Sequence, residues 1–263
     1  MKIAIIGAGN MGGAIARGLA TGSIVNAEDI TVTARTETTL ARLRADVPTL
    51  HTTLSNREAC ESAAIVMLCV KPWLVKEVLE EIYPAINASN PLIVSVAAGI
   101  TFEQLSAMMA GDHRPMARVI PNTAISIKQS PTLVCFNDMM NEAQRKLITA
   151  IFDEMGTAII IDEGHMAAGT AITSCGIAYA FAYIKAAMQG AIELGFYPHV
   201  AKQMIDQTVQ GAVGLLEHNN SMPDAEIYKV CTPGGITIKG LNEMARQGFD
   251  NAVIQGLKAA AGK

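Results

Sequence analysis

Met1-Lys2-Ile3-Ala4-Ile5-Ile6-Gly7-Ala8-Gly9-Asn10-Met11-Gly12 carries a short apolar run straight into Gly-x-Gly-x-x-Gly, and a helical pattern follows from Gly13 to Leu19 without a break. Strand, glycines and helix in that order are what a dinucleotide site requires. Gly7 permits the tight turn, Gly9 lets the backbone approach a pyrophosphate, and Gly12 lets the helix pack close to the strand. Free N–H groups at the helix start, from Asn10 and Met11 onward, face the phosphates, and the helix dipole adds to the attraction. The same glycine spacing also occurs in ordinary tight turns. The strand before it and the helix after it favour the nucleotide reading.

The organisation of the rest agrees with this opening. Strand signals recur at residues 2–6, 30–33, 64–70, 92–96, 116–120, 132–136 and 158–161, with helical patterns at 10–20, 37–44, 75–83, 102–109 and 141–155. Short β-branched runs alternating with helices predict right-handed crossovers and a mostly parallel, doubly wound sheet of the Rossmann type. The stretch Ala64-Ile65-Val66-Met67-Leu68-Cys69-Val70 is apolar throughout, as a strand covered on both faces should be, and Lys71-Pro72 ends it. After about Asp162 the strand signals stop. Helices are predicted at 165–173, 176–194, 198–217, 223–230, 238–247 and 251–261. The expected organisation is therefore an α/β domain over residues 1–162 and an all-helical domain over 163–263.

At 263 residues, half of them apolar, the chain has material for a large core. Only 17% of residues are charged and the net charge is −4, which gives no electrostatic case for nucleic acid or an anionic membrane. Cys60, Cys69, Cys135, Cys175 and Cys231 are odd in number and scattered, so they read as reduced thiols of a cytoplasmic protein. No charged and apolar leader is expected at the N-terminus. The five histidines show no ligand spacing, so no metal site is expected. The apolar stretch 177–192 is interrupted by Lys185 and Gln189 and reads as too short to span a bilayer. It is apolar on nearly every side, however, and a helical domain of this size is expected to need a second subunit to cover it.

Candidate site residues fall at strand ends. After the second strand stands Thr33-Ala34-Arg35-Thr36, without the acid that binds a ribose 2′-hydroxyl. Arg35 is then a fork of donors for a 2′-phosphate, with the Thr36 hydroxyl assisting; the alternative is a solvated surface charge. Val70-Lys71-Pro72 and Ala97-Ala98-Gly99 end two further strands, where ligands of open α/β sheets sit, and small residues at 97–99 leave room for a nicotinamide ring. Gly99 is equally a plain turn glycine. Arg118-Val119-Ile120-Pro121-Asn122-Thr123 offers polar groups to a ligand amide, or Asn122 caps a turn. Near the C-terminus, Thr232-Pro233-Gly234-Gly235-Ile236-Thr237 puts exposed N–H groups and a hydroxyl before a helix. That arrangement suits a small carboxylate, and it also suits a helix–helix turn.

With these segments in hand, the chain resembles the pyrroline-5-carboxylate reductase family, oxidoreductases of the last step of proline biosynthesis. The resemblance runs from the opening glycines through Val70-Lys71-Pro72, Ala97-Ala98-Gly99-Ile100 and Arg118-Val119-Ile120-Pro121-Asn122 to Thr232-Pro233-Gly234-Gly235-Ile236-Thr237. It implies a Rossmann domain followed by an all-helical dimerisation domain, as a homodimer or a ring of dimers. It implies NAD(P)H held by Gly7 to Gly12, Arg35, Asn56, Lys71 and Asn122, with NADPH preferred over NADH on the Arg35 argument. It implies pyrroline-5-carboxylate as substrate, its ring nitrogen at Thr237 and its carboxylate at Gly234-Gly235 and near Cys175-Gly176. One departure stands out: the family's usual Gly-Ser-Gly-Pro-Ala-Tyr is here Ser174-Cys175-Gly176-Ile177-Ala178-Tyr179. Cys175 is a poorer donor than serine, and Ser174 is the expected compensating hydroxyl. The rival readings are a related imine reductase, a β-hydroxyacid dehydrogenase, and a non-catalytic dimer that senses NAD(P)H.

Overall fold

Ile3, Ala4, Ile5 and Ile6 form the first strand, β1 (Ile3–Ile6), and all four side chains are buried, two on each face of a sheet. The computed structural model, which describes residues 1–262, continues the alternation. α1 (Asn10–Ala20) is followed by β2 (Ile30–Thr33), α2 (Glu37–Asp46), β3 (His51–Thr53), α3 (Asn56–Cys60), β4 (Ile65–Leu68), α4 (Val75–Ser89), β5 (Leu92–Ser95) and α5 (Phe102–Met108). β6 (Met116–Ile120), β7 (Ser130–Phe136), α6 (Glu142–Asp153) and β8 (Gly156–Ile160) complete the sheet. Its order is β3-β2-β1-β4-β5-β6-β7-β8. β1 pairs in parallel with β2 and β4, Ile3 opposite Ile30 and Ile65, and the order reverses there. That reversal is the switch point at which α/β sheets bind ligands.

β6 and β7 are the antiparallel pair. The chain between them makes only the 3-10 turn Thr123–Ile127, too short for a crossover helix, so the second strand must run back. α6 then restores the parallel sense between β7 and β8. Ile3, Ile5, Ile15, Leu19 and Phe152 belong to the core on one face; Ala4, Ile6, Val66, Leu79 and Ile82 belong to the other. Period-two alternation within β1 thus feeds both layers, which is the physical meaning of its unbroken apolar run.

Three local expectations need correction. β3 and α3 fall in a stretch where no element is expected, because three threonine-rich residues and a five-residue helix carry no readable period. α4 does not stop before Pro84 but runs through it to Ser89. Pro84 is on the exposed side, where water can satisfy the carbonyl it frees, while Ala85 and Ile86 beyond it are buried. Helical structure also continues without a break from Glu163 to Glu193, 31 residues, long and apolar enough by length and composition to cross a membrane. The shorter apolar stretch read from the sequence underestimates it.

The chain divides into a compact unit Met1–Ser174 and a second from Cys175 onward. The strand signals end at 162, but the next twelve residues stay with the first unit for identifiable reasons. In α7 (Met166–Thr170), Met166 is buried with Ile120, Leu133 and Cys135, and a Cβ on Gly169 would lie 2.7 Å from the Leu133 side chain. A π-helical turn, Ala171–Cys175, ends at the division.

The second unit is helical: α8 (Gly176–Glu193), α9 (Pro198–Asn219), α10 (Pro223–Val230), α11 (Ile236–Arg246) and α12 (Phe249–Ala260). α12 returns to α8, where the Tyr183 and Phe249 rings meet edge to face at 6.5 Å and the Tyr179 hydroxyl donates to the Gly256 carbonyl. Yet α8 buries none of its residues in this single chain, and Phe181, Tyr183, Val213 and Leu215 are exposed. An apolar surface of that extent needs a cover.

Candidate active site

The β1–α1 turn separates three glycines by what surrounds them. Gly7 has φ +105, the left-handed region, and a Cβ there would lie 3.0 Å from the Cys69 carbonyl oxygen. A Cβ on Gly12 would lie 2.0 Å from the Gly7 oxygen, so the close approach of α1 to β1 demands glycine. Gly9 is different: nothing lies within 4 Å of its absent Cβ. No protein atom requires glycine at position 9, and the open space stands at the start of α1, where an anion would approach. Gly9 is also the N-cap of α1 and supplies no side-chain cap, so the helix-start N–H groups of Asn10 and Met11 remain for an anion. A cradle open where a pyrophosphate would approach, and closed elsewhere, fits a dinucleotide.

Thr33, buried at the end of β2, braces the turn. Its hydroxyl accepts from the Gly7 N–H at 3.2 Å and donates to Asn56 Oδ1 at 2.7 Å, while its carbonyl accepts from Ala8 at 2.6 Å. Asn56 in turn donates to Glu81 Oε2 at 2.8 Å. Both polar ends of Asn56 are therefore engaged by protein, and its position supports the turn from below. Arg35 is exposed just past β2. The nearest carboxylate in sequence, Glu37, pairs with Arg44, which also holds Thr52, so Glu37 is already committed. The Thr36 hydroxyl meets that of Thr39 at 2.9 Å.

At the end of β4, Val70 packs against Gly7 and Lys71 is exposed before a 3-10 turn, Pro72–Leu74. Desolvation beneath the glycine turn pushes the Cys69 thiol up to about 12, so it is an inert packing group. Beyond β5, Ala97 is buried while Ala98 and Gly99 are exposed. Gly99 has φ +81 with open space around it, so its backbone requires glycine for the turn itself. That turn delivers α5, capped by Thr101 and Gln104.

Asn122 follows β6 and is held by its own protein through both backbone and side chain. Its N–H donates to Ser130 Oγ at 3.0 Å, its Oδ1 accepts from Ala124 N–H at 2.9 Å, and its Nδ2 donates to the Thr173 carbonyl at 3.2 Å. It is a turn cap. Sequence reasoning missed Glu163, whose Oε1 accepts from the Phe102 N–H at 2.8 Å and from Arg118 Nη1 at 2.6 Å. The buried Arg118 guanidinium also lies over the Phe102 ring at 5.9 Å. Glu163 thus ties the α5 start and β6 together; no local pattern marks a partner so distant in sequence.

In the second unit, the bend after α10 is built from glycines with two different duties. Gly234 has φ +73 and open space, whereas a Cβ on Gly235 would lie 2.5 Å from Thr232 Oγ1. The Gly235 N–H donates to the Thr232 carbonyl at 2.9 Å. Gly235 is then the N-cap of α11 without a side-chain cap, and Thr237 stands half-buried in the first turn. Free N–H groups and a hydroxyl at one helix start can hold a carboxylate and a polar ring atom. Glu226 fastens the opposite end of α10 to the turn after α9: hydrogen bonds from Lys229 above all, then Ser221 and Asn219, hold its carboxyl down to about 2. Cys175 and Gly176 are half-buried at the start of α8. The Ser174 Oγ donates to the Pro121 carbonyl at 3.1 Å within the first unit. Among the described residues, no group of three or more His, Cys, Asp or Glu side chains is placed to hold a metal ion.

Two family models match. Residues 163–263 match pyrroline-5-carboxylate reductase dimerisation, and residues 2–99 match NADP oxidoreductase, coenzyme F420-dependent. Pyrroline-5-carboxylate reductase 2 of Dictyostelium discoideum is 32% identical over 100% of this chain and 91% of its own length. The chain belongs to the pyrroline-5-carboxylate reductase family. Pyrroline-5-carboxylate reductase 1 of the same organism is 34% identical over 99% of this chain, which spans about half (49%) of that relative. The solved structure of Plasmodium falciparum pyrroline carboxylate reductase with NADP bound is 27% identical and superposes with a TM-score of 0.89, covering 99% of this chain and 95% of that one.

Proposed function

We propose that this chain reduces 1-pyrroline-5-carboxylate to L-proline with NADPH, the last step of proline biosynthesis. The observation that carries the reading is a glycine cradle left open at Gly9, in a chain that matches a reductase of this family along its whole length. When bound, the reduced nicotinamide supplies a hydride to the imine carbon, and the imine nitrogen keeps its proton in the amine product.

The chain's own residues bind and orient. The α1 N-terminus and the turn from Gly7 to Gly12 hold the pyrophosphate, and the exposed, uncommitted Arg35 takes the 2′-phosphate, which favours NADPH over NADH. The nicotinamide ring has room at Ala97-Ala98-Gly99, beside Val70-Lys71-Pro72. In a helical unit, the Thr237 hydroxyl holds the ring nitrogen and the N–H groups at Gly234-Gly235 and the α11 start hold the carboxylate. No strong acid is needed, since a protonated imine is already electrophilic; orientation carries the rate.

Residues 1–162 are then the NAD(P)-binding domain, and the helices from residue 163 onward serve substrate binding and dimerisation. The exposed apolar surface of α8 is read as the cover for a second copy rather than for lipid. Lys185 interrupts it, and the matching family model describes dimerisation. A ring of dimers in a reducing, cytoplasmic setting fits five free cysteines. The test is NADPH oxidation followed spectrophotometrically with pyrroline-5-carboxylate, beside NADP+ reduction with small hydroxyacids. Turnover of the imine is expected; turnover of hydroxyacids alone, or none with either, refutes the reading.

A further inference from the structure

Trp73 is the only tryptophan in the chain, and 75% of its surface is exposed. An indole offers a large apolar face that normally packs; this one meets little of its own protein. Nor does it dangle. It is held in the 3-10 turn Pro72–Leu74, with proline at the first position and the Leu74 N–H donating to the Lys71 carbonyl at 2.9 Å. The turn presents the ring at the carboxyl end of β4.

The strand order says what the ring faces. β2 and β4 flank β1, so the turns bearing Arg35 and Trp73 stand on either side of the open glycine turn. Two strand spacings are roughly 10 Å. Two stacking contacts of about 3.5–4 Å span about 7–8 Å, so side chains reaching from turns two strands apart have room for one planar ring between them. The nicotinamide is read at the β5 turn, on the far side of β4 from Arg35. The ring left for the Arg35 side is the purine.

We propose that Trp73 stacks on the adenine ring of the dinucleotide, opposite Arg35, as a binding residue for the half of the cofactor that takes no part in hydride transfer. The inference rests on the NADPH reading above. Because the chain has one tryptophan, its fluorescence reports this position alone. The full-length protein is titrated with 2′,5′-ADP, which carries the purine and 2′-phosphate, and separately with oxidised nicotinamide mononucleotide, whose absorption does not overlap indole emission. NADPH binding is measured in parallel by calorimetry. Saturable quenching by 2′,5′-ADP and none by the mononucleotide is expected. Trp73→Ala is expected to weaken 2′,5′-ADP binding about 10-fold, with Trp73→Phe recovering most of it, both variants keeping the wild-type circular dichroism. Emission that stays unmoved while calorimetry shows NADPH bound, quenching by the mononucleotide alone, or unchanged 2′,5′-ADP affinity in Trp73→Ala each overturns the proposal. A wild-type protein that binds neither NADPH nor 2′,5′-ADP overturns the cofactor reading itself.

Discussion

Replacing Gly9 and Gly12 one at a time by alanine distinguishes space kept for a ligand from space taken by the fold. A Cβ at position 12 would meet the Gly7 carbonyl oxygen at 2.0 Å and the Cys69 Cβ at 2.8 Å. Neither atom can swing aside, so α1 must back away from β1. Overpacking of this kind costs about 3 kcal/mol, the top of the usual range. At about 2–4 °C per kcal/mol for a chain of this length, Gly12→Ala should melt about 6–12 °C lower without any ligand present.

Gly9 has φ −70 and ψ −170, which any L residue adopts, and open space where the methyl would go. A weaker N-cap is offset by a less flexible unfolded chain, so the net change is about 0.5 kcal/mol or less. Gly9→Ala should therefore melt within about 2 °C of the wild type. Its methyl stands where the pyrophosphate approaches, and NADPH binding by calorimetry should weaken about 10- to 100-fold, a loss of about 1.4–2.8 kcal/mol. Wild-type NADPH affinity in Gly9→Ala would refute the ligand reason for that glycine. A Gly12→Ala protein as stable as the parent would refute the packing argument.

Thr237→Ala should lower kcat/KM for pyrroline-5-carboxylate about 10- to 150-fold, the range of one hydrogen bond to a charged group; a loss beyond about 10⁴-fold would make the hydroxyl a proton-transfer group instead. Glu163→Gln removes the carboxylate from the buried Arg118 guanidinium. Because Glu163 is 35% exposed, the expected cost is about 1–3 kcal/mol rather than the full penalty of a buried pair, seen as a lower denaturation midpoint. Adding Arg118→Met should recover part of it, and no recovery would mean that the carboxylate matters through Phe102 alone. For Glu226, a folded value of about 2 lies below the ordinary 4.5, so its contribution is complete above about pH 4.5 and is lost as pH falls towards 2. Glu226→Gln should flatten the pH dependence of the melting temperature in that window, and a variant curve parallel to the wild type would contradict the assignment.

What the sequence tells and what it withholds follow from the range of each interaction. The β1–α1 turn is legible because strand, glycines and helix are contiguous, and β1 and β4, buried on both faces, announce themselves as apolar runs. β3 is invisible for the opposite reason: His51–Thr53 becomes a strand only because β2 offers Thr31, Val32 and Thr33 to pair with. Pro84 misleads because a local rule about proline is overridden by the burial of Ala85 and Ile86 beyond it. Site residues divide the same way. Gly9, Gly12 and the Gly234-Gly235 bend declare themselves by type and spacing, since each lies in a contiguous run that leads into a helix. Asn56 and Asn122 also stand out by type, but their chemistry is fixed by Thr33, Glu81 and Thr173, none of which is a sequence neighbour. An amide side chain at a strand end is therefore ambiguous until its partners are known, whereas glycines set between a strand and a helix are read from their immediate neighbours in the chain.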